Sequence, residues 1–346
     1  MPSSRQIINN LERCDYCSYA LKSVNLSVPF FDLLNSCYYF ALMNRRDFLL
    51  TTAASVASLT TPLFAPAKSN TLLTRLVPSS NEPIPVIGMG TWITFDVGLN
   101  SSAVQQRSEV LRHFFASGGG MIDSSPMYGS SEAVVGNCLQ QLNHPDKLFS
   151  ATKVWIPGRR LGIKQMHNSE KLWGLQSFDL MQIHNLVDWK THIKTLREWK
   201  DTERIRYIGV TTSHGRRHEE LIKIMQSEPI DFVQFTYNIV DREAEEKLLP
   251  IATEQGIAVI INRPFRRGQL FDLVQNQPLP IWAKEFHCTN WAQYFLKYII
   301  SHPFVTVAIP ATSRVEHMDE NMGAMQGSLP NASMRKQMQV YYESIN

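Results

Sequence analysis

From Thr74 onward the sequence alternates short apolar runs with longer amphipathic segments, and no other feature restricts the fold as strongly. The apolar runs are Val86–Gly90, Gly120–Asp123, Leu148–Lys153, Asp179–His184, Tyr207–Thr211, Phe232–Thr236, Ala258–Asn262 and Val305–Ile309. Helical patterns lie between them at Gln105–Ala116, Ser131–Leu142, Trp189–Asp201, His218–Gln226, Arg242–Glu254, Trp282–Ile299 and Val315–Met325. The Arg160–Gly174 crossover is poorly patterned. Apolar runs without polar alternation read as strands buried on both faces, and their alternation with helices requires parallel pairing. Eight such units in about 250 residues predict an α/β chain folded as a (β/α)8 TIM barrel. Leu72–Pro83 is expected to form an N-terminal hairpin before it.

Composition agrees with a globular chain. A hydrophobic fraction of 44% against 19% charged residues excludes a largely disordered chain, a collagen and a disulfide-packed miniprotein. The formal net charge of +3, with both signs mixed along the chain, gives no case for a nucleic-acid partner. No run reaches the roughly 18 apolar residues of a membrane span.

The first 67 residues read as something other than the barrel. Asn44-Arg45-Arg46-Asp47-Phe48-Leu49-Leu50 is a twin arginine followed by apolar residues, and a Thr/Ala/Ser/Leu stretch runs on to Ala65-Pro66-Ala67. Basic pair, moderately apolar core and small-x-small cleavage site follow one another as in an export signal. The paired arginines mark the twin-arginine route, which carries folded proteins. Residues 43–67 are therefore expected to be a signal peptide, and residues 1–42 an extension from an upstream start codon. The partner implied is the twin-arginine export machinery and the destination is the periplasm, with a cytoplasmic or signal-anchored protein as the alternative. Cys14, Cys17 and Cys37 fall in the extension, so residues 68–346 hold only Cys138 and Cys288, too few for a disulfide framework.

A barrel of this kind builds its site from the C-terminal ends of the strands and the loops that follow. Asp123 ends the second run, Tyr128 follows it, Lys153 ends the third and His184 ends the fourth. Neighbouring strands are about 4.8 Å apart, so consecutive strand ends can bring the four side chains together. A lysine buried there needs a counter-charge, which Asp123 can supply. An ammonium beside a phenol is expected to favour phenolate and lower the pKa of Tyr128 from about 10. A neutral His184 could donate to a carbonyl and orient it. The set suits proton delivery to an oxygen that becomes negative as hydride reaches carbon, and it contains no hydride donor, so a cofactor is required.

The residues that surround these four resemble the aldo/keto reductases over nearly all of Thr74–Asn346. The matching pieces are Ile87-Gly88-Met89-Gly90-Thr91-Trp92, Met121-Ile122-Asp123-Ser124-Ser125-Pro126-Met127-Tyr128-Gly129 and Ala151-Thr152-Lys153-Val154. They continue with Asp179-Leu180-Met181-Gln182-Ile183-His184, Tyr207-Ile208-Gly209-Val210-Thr211, Gln234-Phe235-Thr236-Tyr237-Asn238 and Ile309-Pro310-Ala311-Thr312-Ser313-Arg314 through Glu320-Asn321. The resemblance implies an NADP(H)-dependent oxidoreductase, rather than one using NAD(H), that needs no metal and acts on a small carbonyl or alcohol. It makes Asp123, Tyr128, Lys153 and His184 the catalytic set, with Tyr128 the acid in reduction. It places cofactor contacts at Gly90, Thr91, Thr211, Thr212, Gln234, Asn262, Arg263, Pro264, Phe265, Gly268, Thr312, Ser313, Arg314, Glu320 and Asn321. Among these, Arg314 is expected to take the 2′-phosphate, because a guanidinium binds phosphate through two donors.

Four positions depart from the family pattern. Thr211-Thr212 stands where many members have Ser-Asn, Asn262 where many have an aromatic residue, and Ala311 where some have lysine. The run Arg263-Pro264-Phe265-Arg266-Arg267-Gly268 is unusually basic and suits a pyrophosphate or an anionic substrate. Trp92 and Trp155 follow strand ends and are expected to wall the substrate pocket. His214 and His218 have i,i+4 spacing without a third ligand, so no metal is assigned to them. A second function stays open, a nucleotide-binding redox sensor or regulatory subunit with little turnover.

Overall fold

The computed structural model describes residues 72–345. The expected export signal, the upstream extension, and Cys14, Cys17 and Cys37 lie outside the described residues. Strands β1 (Thr74–Leu76) and β2 (Pro83–Pro85) pair antiparallel, with Arg75 opposite Ile84. This is the expected hairpin, displaced by two residues at its far end.

Eight parallel strands follow. They are β3 (Met89–Gly90), β4 (Met121–Asp123), β5 (Phe149–Val154), β6 (Phe178–Ile183), β7 (Ile205–Thr211), β8 (Phe232–Thr236), β9 (Ala258–Asn262) and β10 (Val307–Ala308). Each pairs with its successor in sequence order. Parallel bridges Ile87↔Ala308 and Gly90↔Ala311 join the first strand to the last, so the sheet curls into a (β/α)8 barrel. Gly90 is needed at that seam. A Cβ there would lie 2.9 Å from the Ile309 carbonyl oxygen.

The outer layer consists of α1 (Ser101–Ala116), α2 (Ser131–Gln141), α3 (Arg159–Trp173), α4 (Trp189–Asp201), α5 (His218–Ser227), α6 (Leu248–Glu254), α7 (Trp291–Ile300), α8 (Val315–Gly323) and α9 (Ala332–Ser344). Helix α3 forms despite its weak pattern, and Gly174 in the left-handed region ends it. Two expected helices are interrupted. Arg242–Glu254 breaks into a short 3-10 turn and α6, because Pro250 is tolerated only in a first turn and Leu248 opens that turn. Trp282–Ile299 breaks at His287, which has φ +60°, and restarts when the Asn290 side chain accepts from Gln293 N at 2.9 Å. Helix α9 was not expected from the sequence. Its inner face carries Met338 and Tyr342, and Asn331 caps it by accepting from Met334 N.

Side chains on a strand alternate between faces, so every second residue points into the barrel. Met121, Phe149, Ala151, Leu180, Tyr207, Phe232, Ala258, Ile260, Val307 and Ile309 form the buried interior, joined by Val77 and Ile84 of the hairpin. The hairpin thus closes the end where the strands begin, and Tyr207 Oη donates to Ser80 Oγ at 2.7 Å there. Two residues further along the same inward rows come Asp123, Lys153, Gln182, Gln234 and Asn262. The interior therefore changes from apolar to polar along its axis, and the polar end is the one where the loops carry side chains free to act.

Candidate functional site

Asp123 closes β4 and is buried. Its Oδ2 accepts from Lys153 Nζ, and its Oδ1 accepts from Gln182 Nε2 at 2.7 Å and Gln234 Nε2 at 3.0 Å. A buried carboxylate demands such a set of donors. Gly209 makes room for Gln182, since a Cβ would stand 2.8 Å from its Cγ. Lys153 sits one residue before the end of β5, fully buried, and also donates to the Ser124 carbonyl at 2.6 Å. Burial lowers its pKa, against the pull of the Asp123 and Glu132 carboxylates. Glu132 is itself buried at the start of α2. It accepts from Thr152 Oγ1 at 2.6 Å and Ser169 Oγ at 2.9 Å, and burial raises its pKa.

Tyr128 lies in the turn between β4 and α2. The Lys153 ammonium stands over its ring, 5.1 Å from the centroid. The expected lowering of the phenol pKa does not occur in the free protein. Burial pushes Tyr128 well above its ordinary value, and the Asp123 carboxylate pushes it the same way. The physical reason is that burial penalises the phenolate most, and the Asp123 carboxylate, whose Oδ2 also takes a Lys153 hydrogen bond, repels it further.

His184 follows β6 directly, in a short 3-10 turn. Its ring is perpendicular to that of Tyr128, with centroids 5.6 Å apart, and 6.4 Å from that of Trp155. Burial, reinforced by the Lys153 charge, lowers its pKa to about 2, so the imidazole is neutral. Its Nδ1 is 2.8 Å from Ser125 Oγ. Asp123, Lys153, Tyr128 and His184 thus share one end of the barrel.

The expected cofactor positions separate into three groups. In the first, side chains already have partners. Gly90 belongs to the barrel seam. Thr91 Oγ1 donates to Ser124 Oγ at 2.8 Å. Thr211 Oγ1 accepts from Asn185 N at 3.0 Å and so fixes the loop after His184. Gln234 is engaged with Asp123. Asn262 donates to the Thr212 carbonyl at 2.9 Å and accepts from Thr236 Oγ1 at 2.7 Å. The Phe265 ring packs against Phe271, with centroids 5.0 Å apart, so it turns its face to the core.

The second group has unmatched polar atoms. Thr212 Oγ1 and Arg263 Nε and Nη1 are buried without a hydrogen-bond partner, while Arg266 Nε pairs with Asp241 Oδ2 at 3.2 Å. Arg263 is additionally depressed by burial and by the neighbouring Arg267, Arg266 and Arg216 charges, with Asp241 opposing. Pro264 and Gly268 shape this loop, where Gly268 has φ +94°. An unmatched hydroxyl and an arginine with two unmatched guanidinium donors fit a ligand that carries both an amide and a polyphosphate, so the donor set is compatible with a dinucleotide.

The third group lies at α8. Thr312 Oγ1 accepts from Arg314 N at 3.2 Å, and Arg314 caps the helix with its side chain exposed and 3.4 Å from Glu316. Asn321 is buried, while Ser313 and Glu320 are half-buried. Of the expected pocket residues, Trp92 is half-buried and Trp155 is 41% exposed, so both border the open end.

Sequence reasoning assigned no role to Ser125, Gln182 or Glu132. Gln182 was detectable, because it precedes His184 by two residues and so shares its inward face. Arg267 lies over Trp92, 4.1 Å from the ring centroid, a contact between distant loops that no local pattern announces. His214 is held below its ordinary pKa by burial and by Arg263, Arg216 and Arg267. Among the described residues, no group of three His, Cys, Asp or Glu side chains could hold a metal ion, and no helix is long and apolar enough to cross a membrane.

The sequence profile of the aldo/keto reductase family matches residues 86–341. Aldo-keto reductase YhdN of Bacillus subtilis is 27% identical over 199 residues, which are 53% of this chain and 59% of that protein. The thermostable aldo-keto reductase Tm1743, solved with the inhibitor epalrestat, superposes with a TM-score of 0.63 at 27% identity, covering 79% of this chain and all of that one. An aldo-keto reductase of Klebsiella pneumoniae, solved in complex with NADPH, superposes with a TM-score of 0.65 at 22% identity, covering 78% and 95% of the two chains.

Proposed function

The chain belongs to the aldo/keto reductase family, and on that premise we propose that it is an NADP(H)-dependent oxidoreductase of small carbonyl or alcohol compounds. The observation that carries this reading is the buried Asp123–Lys153 pair standing beside Tyr128 and a neutral His184 at the open end of the barrel.

Thr212 and Arg263 would hold the dinucleotide through atoms that otherwise lack partners, and Arg314 would meet the 2′-phosphate by exchanging its exposed contact with Glu316. The chemistry required of the bound nicotinamide is hydride delivery to the carbonyl carbon. The NADPH bound by the Klebsiella pneumoniae neighbour supports this choice of cofactor.

The protein's own part is to hold and move a proton. Tyr128, protonated at neutral pH because its pKa is raised, gives its hydroxyl proton to the carbonyl oxygen as negative charge develops there. Lys153 stabilises the phenolate left behind, and the Asp123 carboxylate, itself held by the Gln182 and Gln234 amides, keeps that ammonium in place. His184, neutral, offers a ring N–H to the same oxygen and orients the carbonyl. Trp92 and Trp155 form an apolar border that limits water at the reacting centre.

Export in the folded state is part of the proposal. Arg45-Arg46, the apolar stretch after them and Ala65-Pro66-Ala67 support residues 43–67 as a twin-arginine signal with the barrel delivered to the periplasm. A folded protein can carry its nucleotide across, and it would then alternate between oxidising one substrate and reducing another.

The test is absorbance at the reduced-nicotinamide wavelength, using the purified protein, NADPH and a panel of aldehydes, ketones and quinones. Consumption of NADPH with any member supports the reductase. Nucleotide binding without turnover across the panel would favour the sensor.

A further inference from the structure

We propose that Ser125 is a positioning residue that fixes the tautomer of His184, so that Nε2 carries the proton and faces the substrate carbonyl. The inference rests on the reductase reading for its kinetic consequence and on the structure alone for the tautomer.

A neutral imidazole has one nitrogen that donates and one that accepts, and the partner of one decides the role of the other. Ser125 is fully buried. Among the described residues its hydroxyl oxygen has two hydrogen-bond partners, the Met127 backbone N–H at 3.2 Å and His184 Nδ1 at 2.8 Å. Met127 N–H can only donate. If His184 Nδ1 also carried a proton, Ser125 Oγ would accept twice and its own buried proton would have no acceptor. Such an orphan is costly. The arrangement that pairs every group runs in one direction. Met127 N–H donates to Ser125 Oγ, Ser125 O–H donates to His184 Nδ1, and the proton of the ring is left on Nε2.

That direction matters for the reaction. The opposite tautomer would present a bare nitrogen lone pair to the carbonyl oxygen and repel it. The Lys153 charge, which helps hold the imidazole neutral, leaves the ring with no second proton to cover both roles. Asn185 N, held by Thr211 Oγ1, fixes the backbone beyond the ring, so the backbone on its far side and Ser125 together define how His184 stands. Tyr128 faces the ring edge-on and supplies no competing hydrogen bond to Nδ1.

The first test uses the unaltered full chain without substrate or cofactor. Nitrogen-15 chemical shifts of histidine-labelled protein, with His184 assigned by its loss in His184→Gln, distinguish a protonated from an unprotonated Nδ1. The expected result is an unprotonated Nδ1 and a protonated Nε2 across pH 6–8. A protonated Nδ1 overturns the proposal whether or not the protein is a reductase. The second test is Ser125→Ala. We expect the single tautomer to give way to a mixture, and kcat/KM for the carbonyl to fall about tenfold, with the dissociation constant for NADPH unchanged. Retention of kcat/KM within about twofold, or an unmixed tautomer in the variant, would overturn the positioning role. Absence of turnover in the unaltered protein would count against the reductase reading and leave the first test intact.

Discussion

The Lys153 ammonium neighbours the Tyr128 ring without a hydrogen bond to it. The ammonium stands 5.1 Å from the centroid of the phenol ring while its hydrogen bonds go to Asp123 and the Ser124 carbonyl. Burial, and then the Asp123 charge, raise the phenol pKa well above its ordinary value and keep the phenol protonated. Tyr128 is poised as an acid, and several measurable consequences descend from this pairing.

Reduction should be insensitive to pH through the neutral range. Tyr128 has its pKa raised, so its proton is present below that value and is lost only as pH climbs toward it. Carbonyl reduction is expected to decline at strongly alkaline pH. Alcohol oxidation, which needs the phenolate, is expected to rise with pH over the same interval. A pair of kcat/KM profiles in the two directions checks this, and a reduction rate that peaks on an alkaline limb would contradict it.

Removing Lys153 should damage both fold and activity. Lys153→Met leaves the buried Asp123 carboxylate with only the Gln182 and Gln234 amides. Breaking a buried pair on one side typically costs about 3–5 kcal/mol. Urea unfolding should show a loss of that size, and turnover should fall by at least about 100-fold. The paired change Lys153→Met with Asp123→Leu should recover much of the stability and none of the activity.

Acid should weaken the protein through His184. Its folded pKa is about 2 against an unfolded value near 6.5, so its contribution is complete above the unfolded value and is lost as pH falls below it. At pH 5 the unfolded chain holds a proton that the folded one refuses, a penalty of about 2 kcal/mol. Melting curves from pH 7 to pH 5 should show the drop, and His184→Gln should flatten it.

The unmatched guanidinium donors should act on cofactor affinity. Arg263→Ala is expected to raise the dissociation constant for NADPH about tenfold, with an affinity that depends less on salt than in the unaltered protein. Arg314→Ala should weaken NADPH by a similar factor and leave NADH unchanged. Fluorescence titration with both nucleotides checks the two variants together.

Much of this arrangement was legible from sequence because a barrel converts strand order into spatial order. Phe232–Thr236 and Ala258–Asn262 occur as their apolar runs indicate, and Asp123 and Lys153 lie at the ends of consecutive strands while His184 directly follows the next. What the sequence concealed depends on contacts between distant loops. Arg267 reaches Trp92 from the other side of the barrel seam, and Ser125 reaches His184 across a separation of 59 residues. The sense of the Tyr128 shift was also misread. Residue types place an ammonium near a phenol, but the burial of that phenol and the closeness of the Asp123 carboxylate, which set the direction, do not show in them. Helix α9 escaped notice because its inner face carries Met338, Gln339 and Tyr342, a weak apolar stripe.

The most direct test of the account compares the unaltered protein with Tyr128→Phe. NADPH binding is measured by fluorescence and its oxidation by absorbance, using whichever carbonyl of the panel turns over. The account predicts that the variant binds NADPH with unchanged affinity and loses at least about 100-fold in turnover, the size of a missing general acid. A Tyr128→Phe protein that turned over at the rate of the unaltered one would contradict it.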